Sequence, residues 1–218
     1  MMTKLNATSY AGMLDQNGFK QWYKYLKLRI AYRYQMEEVS FLMSRPPFYF
    51  RDYEMLAVGA RITFQDEAIL SKIFHQQKIT EQWNFDKDHY GVSEKRVIRI
   101  RREESLKEIT YFITIPWTIK GNDSASKLRL CKRRRTITTE EESEIRNDIG
   151  VSIDGLVMQG FFRCNRSALD VFHAVEEGCH WSPLLRPAYV KEALYQQIGL
   201  NNLSLKTVSG QLLFQEKI

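Results

Sequence analysis

The chain has 218 residues, 44% of them hydrophobic and 12% aromatic, which is enough for a packed core and excludes a disordered chain. No apolar run approaches the roughly 18 residues of a membrane helix, and Met1 to Asn6 lack the apolar stretch of a secretory leader, so an intracellular protein is expected. A net charge of +6 admits nucleic acid, acidic protein surfaces or phosphates as partners and does not choose among them.

Residues 1–18 are polar and dotted with Gly and Asn, and are expected to be loosely held. From Phe19 to Met43 the apolar residues Phe19, Trp22, Tyr23, Leu26 and Ile30 recur at helical spacing. Asp15 or Asn17 is expected to cap this helix, and Arg45-Pro46-Pro47 to end it, because proline has no N–H to donate. Lys20, Lys24, Lys27, Arg29 and Arg33 give it a basic side, either a solvated face or a nucleic-acid contact. The texture then changes to short strands: Tyr53 to Ile62, Ile79 to Tyr90 and Arg96 to Arg102, with a helix from Asp66 burying Ile69, Leu70, Ile73 and Phe74. In Arg96 to Arg102, Ile98 and Ile100 face one way and Val97, Arg99 and Arg101 the other.

The clearest alternation follows. Ile109, Tyr111, Ile113, Ile115, Trp117 and Ile119 line one face, and Thr110, Phe112, Thr114, Thr118 and Lys120 the other. With a turn at Gly121-Asn122-Asp123, residues 108–119 and 127–137 are predicted to form a hairpin. Thr139 and Glu142 have capping-box spacing for a helix stopped by Gly150. Strands near 154–164 and 167–175 are expected around Cys164-Asn165-Arg166, then a helix between Pro187 and Gly199. The tail from Leu200 to Ile218 is amphipathic and reads as helix or strand. This order predicts an α+β protein, an antiparallel β-barrel with flanking helices, divided into an N-terminal segment (1–52) and a barrel domain (53–218).

Motifs for chemistry are few. There is no Gly-rich phosphate loop and no G-x-S-x-G. Cys131, Cys164 and Cys179 form no C-x-x-C pair and are expected to be reduced, buried thiols, and a structural zinc site is not expected. His173, between Phe172 and Ala174, reads as a core histidine on a strand. The run Lys132-Arg133-Arg134-Arg135 reads as a solvated strand face, an import patch or a phosphate contact.

One constellation stands out: Glu54 on an opening strand, then Arg99-Ile100-Arg101, Thr118-Ile119-Lys120-Gly121, and Arg129 ahead of Arg133. In this order the pieces resemble the triphosphate-tunnel (CYTH) proteins, barrels whose inward cations hold a triphosphate and whose glutamates hold a divalent metal. Arg99, Arg101, Lys120, Arg129 and Arg133 are the candidate anion-binding residues. The metal-holding acids that the resemblance implies are missing beyond Glu54, with Cys131, Arg133 and His180-Trp181-Ser182-Pro183 in their places. No cofactor, metal or catalysis is therefore expected.

The same combination, a tunnel-like barrel without its acids, is found in the Mediator subunit 18 family. Tyr53 to Ala60, Val97 to Arg102, Trp117 to Gly121, Leu156 to Arg163 and Gln211 to Ile218 resemble segments of that family in the same order. The resemblance implies a nuclear, non-catalytic scaffold of the Mediator head module, in contact with subunits 20 and 8 and near RNA polymerase II. The barrel is then expected to be collapsed, with Phe112 at its centre and the arginines at the rim or paired with Glu103, Glu104 and Glu108. A divergent tunnel triphosphatase and a barrel that binds RNA or polyphosphate without hydrolysis are the rival expectations.

Overall fold

The computed structural model describes residues 6–74, 93–105, 108–118, 127–133, 137–178, 180 and 184–217. The chain divides into two units interleaved along the sequence: Met1–Arg33, Asp52–Ile62 and Phe74–Arg135 form the first, and Tyr34–Arg51, Thr63–Ile73 and Thr136–Ile218 the second. They do not coincide with the segments 1–52 and 53–218.

The first unit is a helix on an antiparallel sheet. Strands β1 (Asn6–Leu14), β2 (Arg96–Glu104), β3 (Glu108–Thr114) and β4 (Lys127–Arg133) lie in the order β1-β2-β3-β4. Strand β1 was not legible as one: its apolar residues do not alternate with polar ones, and it holds its place at the sheet edge by main-chain pairing to β2. Alternation sorts the two faces as expected for residues 97–101 of β2 and 111–114 of β3, while Thr110 is buried beside Tyr111. Ile98, Ile100, Tyr111 and Ile113 are buried, and Val97, Arg99, Arg101, Phe112 and Thr114 are exposed. Helix α1 (Gln16–Tyr32) covers the buried face. The Asp15 carboxylate caps it, accepting from the Gly18 N–H at 2.7 Å. Phe19, Trp22 and Leu26 are buried as expected, and the Phe19 ring lies 5.8 Å from that of Trp117.

The helix expected over 19–43 is in fact two. Arg33 adopts a left-handed conformation (φ 62°) that ends α1, and α2 (Met36–Leu42) starts afresh in the second unit. Tyr53 to Ile62 is also not a strand: α3 (Tyr49–Glu54) runs into it, and Leu56 turns the chain at φ 56°. Gly12 lies under that turn. A Cβ there would stand 2.3 Å from the Leu56 Cβ, so any larger residue forces the strand and the turn apart.

In the second unit, α4 (Phe64–Ile73) starts two residues before the expected Asp66, from a Thr63 N-cap, and buries Leu70 and Ile73. The buried Asp66 carboxylate accepts from Arg45 Nη2 at 2.9 Å, Tyr49 Oη at 2.6 Å, and the N–H and Oγ1 of Thr63 at 2.9 and 2.7 Å. Burial works against this carboxylate, but the hydrogen bonds outweigh it and hold its pKa below the usual value. A carboxyl whose folded pKa is depressed stabilises the fold above its unfolded pKa, about 3.9, and that contribution is lost as pH falls through the folded value. Asp66→Asn is therefore expected to destabilise the protein at neutral pH by about 1–3 kcal/mol. It should also flatten the loss of stability below about pH 4. Urea denaturation from pH 2 to 7 checks both effects, and a variant with unchanged acid sensitivity would refute them.

Helix α5 (Thr139–Met158) is capped by Thr138 and Glu141, one position before the expected pair. It runs straight through Gly150, because Ile145, Ile149 and Ile153 continue one buried stripe. The glycine that accompanies its end is Gly160, at φ 72°. Neither of the strands expected at 154–164 and 167–175 forms. The first segment finishes α5 and a short 3-10 turn, Phe161–Arg163. The second is β5 (Arg166–Ser167) leading into α6 (Ala168–Gly178), whose Ala168, Leu169, Val171, Phe172 and Val175 are buried at helical spacing. Helix α7 (Pro187–Gly199) matches expectation, and the tail resolves as a hairpin, β6 (Leu203–Val208) and β7 (Gln211–Glu216), in a sheet ordered β5-β7-β6. Among the described residues the strands thus form two open antiparallel sheets, and no closed barrel is present. The strand expected at Ile79 to Tyr90 lies outside the described residues.

Candidate functional site

The face of the four-stranded sheet turned away from α1 gathers the basic residues. The pairing aligns Ser9, Arg101, Phe112 and Arg129 in one row across the strands, and Ala11, Arg99, Thr114 and Lys127 in the next. These residues line a shallow groove of about 670 Å³. It contains four cations, Arg99, Arg101, Lys127 and Arg129, and among the described residues Glu103 is the carboxylate that joins them. Glu103 binds Arg101 at 2.5 Å. The Arg129 guanidinium lies 5.9 Å from the centroid of the Phe112 ring, in reach of a cation–π contact.

Three of the five candidate anion-binding residues, Arg99, Arg101 and Arg129, therefore come together, on an open face instead of in a lumen. Arg133 pairs in register with Glu108 on β4, whereas Lys120 lies outside the described residues, as do Arg134 and Arg135. Lys132 leaves the basic run for the opposite face, where its ammonium donates to the Ala31 carbonyl at 3.4 Å. Burial and the nearby Arg33 push its pKa down. Phe112 does not fill a barrel centre: it is 38% exposed. The expected pairing of Arg101 with Glu103 is present, and Arg102 pairs with Glu104 at 2.6 Å. Phe112 and Lys127 were overlooked as site residues, although the period-2 phase of their strands already put them on the arginine side.

Glu54 stands apart from these cations. It is buried beneath the sheet, where Arg29 grips it with Nε at 2.5 Å and Nη2 at 2.7 Å. Arg29 Nη2 also reaches the Tyr111 hydroxyl at 2.7 Å. Burial opposes the Arg29 cation, but Glu54 and Tyr111 outweigh that and raise its pKa. Burial, then the Glu54 charge, raises the pKa of Tyr10 and Tyr111. The carboxylate thus accepts from one arginine and, at 3.3 Å, from the Tyr111 hydroxyl. Among the described residues no group of three or more His, Cys, Asp or Glu is placed to hold a metal ion. Cys131 and Cys164 are exposed, not buried as expected, and His173 is half-buried on α6, a helix instead of the expected strand.

The second unit offers a competing geometry: a helix pair, α6 and α7, followed by a β-hairpin. In helix-turn-helix proteins the N-terminal residues of the second helix reach into a duplex groove. Here that N-terminus is occupied, because Glu38 accepts from the Ala188 N–H at 3.2 Å and from Arg186 Nη2 at 2.9 Å. Charge points the same way. The first unit holds 22 Lys and Arg against 11 Asp and Glu, the second 10 against 15. The chain's whole basic excess belongs to the unit with the basic sheet.

No protein-family model matches the chain, and no significant match exists among curated proteins or solved structures.

Proposed function

We propose that this is a non-catalytic binding protein that holds the phosphate backbone of a nucleic acid on the outward face of its four-stranded sheet. The observation that carries this reading is the gathering of Arg99, Arg101, Lys127 and Arg129 around one groove with Glu103 as the carboxylate among them. Cations so close repel one another, and an anion laid across them relieves that repulsion. Arginine adds bidentate hydrogen bonds to phosphate oxygens. The non-catalytic part is supported by the separation of parts: Glu54 is buried with Arg29, away from the cations a phosphoryl-transfer site would need beside it.

The scaffold reading through Mediator subunit 18 draws its support from fewer segments. Val97 to Arg102 and Gln211 to Glu216 are strands, but Tyr53 to Ala60 and Leu156 to Arg163 are helix and turn. The basic face supports nucleic-acid binding more directly. Recovery of Mediator head subunits from nuclear extract, undiminished by loss of the arginines, would reverse that preference.

Binding to mixed-sequence oligonucleotides should weaken steeply with salt. Arg99→Ala, Arg101→Ala and Arg129→Ala should each lower the slope of log K against log salt by about 1, and weaken binding equally across sequences. These side chains are exposed, so the variants should fold normally. Fluorescence anisotropy from 50 to 200 mM salt measures the slopes. A slope unchanged in all three variants would remove the sheet as the contact surface.

A further inference from the structure

The basic residues account for holding phosphate but not for Phe112. A large apolar ring on the open face of a sheet costs solvation, and Phe112 remains 38% exposed there. Its partners in the row are Ser9, Arg101 and Arg129, and the next row holds Ala11 and Thr114. The small side chains of Ser9, Ala11 and Thr114 leave the groove open on this face. The two arginines flank it, two strands apart and so roughly 10 Å from each other. Aromatic rings on open sheets serve as platforms for unpaired bases, because any base offers a π-face, whereas in a duplex those faces are already stacked.

We propose that the ligand of this face is a single-stranded nucleic acid, with one base stacked on Phe112 and the phosphates on either side held by Arg101 and Arg129. The proposal rests on the binding function argued above and adds the class of ligand. Glu103, ion-paired to Arg101, steadies that guanidinium beside the ring. A bare polyanion has nothing to stack, and an acidic protein surface has no need of the ring. Neither accounts for Phe112.

The test compares four ligands at about 0.15 M salt, where diffuse surface attraction is screened: oligo(U), oligo(dT), a duplex of equal length, and polyphosphate. Both single strands are expected to bind more tightly than the duplex or polyphosphate. Phe112→Ala should weaken the single strands by about 5- to 150-fold, the range for one stacked base, and leave polyphosphate unchanged. Phe112→Tyr should restore binding, and the tighter of the two single strands identifies RNA or DNA as the natural source. Circular dichroism confirms that the variants are folded, as expected for an exposed side chain. Equal binding of single strand and duplex, or a Phe112→Ala variant that binds single strands normally, overturns the stacking proposal. If the arginines still matter in that case, the phosphate-binding function survives it. If no ligand binds, or polyglutamate binds more tightly than any oligonucleotide, both fail together.

Discussion

Glu54→Ala is expected to destabilise the first unit by about 3–5 kcal/mol. The side chains of Arg29 and Glu54 are 5% and 1% exposed, so removing the carboxylate leaves a guanidinium without its counter-charge in a place water does not reach. Arg29 cannot escape by losing its proton, because an arginine stays charged even when buried. A double replacement, Arg29→Met with Glu54→Leu, is expected to recover much of the loss, since an apolar pair of similar volume carries no desolvation penalty. Urea denaturation followed by tryptophan fluorescence measures both. A single variant within 1 kcal/mol of the parent would show that the pair is not buried as described.

Trp22→Ala is expected to cost a comparable 3–5 kcal/mol, the range for emptying a large core site. Trp22 is 1% exposed, and its ring centroid lies 6.1 Å from that of Phe19. Its indole N–H donates to the Glu54 carbonyl at 2.9 Å, so it also ties α1 to the segment that carries the buried carboxylate. Because the two sites share that segment, the double variant with Glu54→Ala should fall short of the sum of the singles. Strict additivity in denaturation experiments would argue against the shared contact.

What was legible in the sequence follows from what enforces it. The phases of β2 and β3 could be read because each strand buries one face, and a single-residue slip would turn Ile98, Ile100, Tyr111 and Ile113 out to water. The same phases placed Arg99, Arg101 and Arg129 together, although they meet on an open sheet and not in a tunnel. Helices α6 and the end of α5 were misread because Val, Ile and Phe favour strands, and in short apolar runs periods of 2 and 3.6 are hard to separate. Strand β1 has apolar residues but no period-2 alternation to mark it as a strand. The Arg29–Glu54 pair was out of reach because charged residues ordinarily lie at the surface, and nothing local marks two of them, 25 positions apart, as core partners.

The interleaving of the two units has a consequence for how the chain is made. Strand β1 finds its partner β2 about ninety positions later, with Asn6 opposite Glu104. The second unit needs Tyr34–Arg51 together with Thr136–Ile218. On a ribosome the first helix emerges long before the strands it must cover, and the early pieces of the second unit wait until Thr136–Ile218 has followed them. Vectorial, domain-by-domain folding, the usual protection of longer chains, is thus closed to this one. Its apolar α1 face, bearing Phe19, Trp22 and Leu26, stays uncovered until some hundred further residues have been added, which makes the nascent chain a natural client for a holding chaperone.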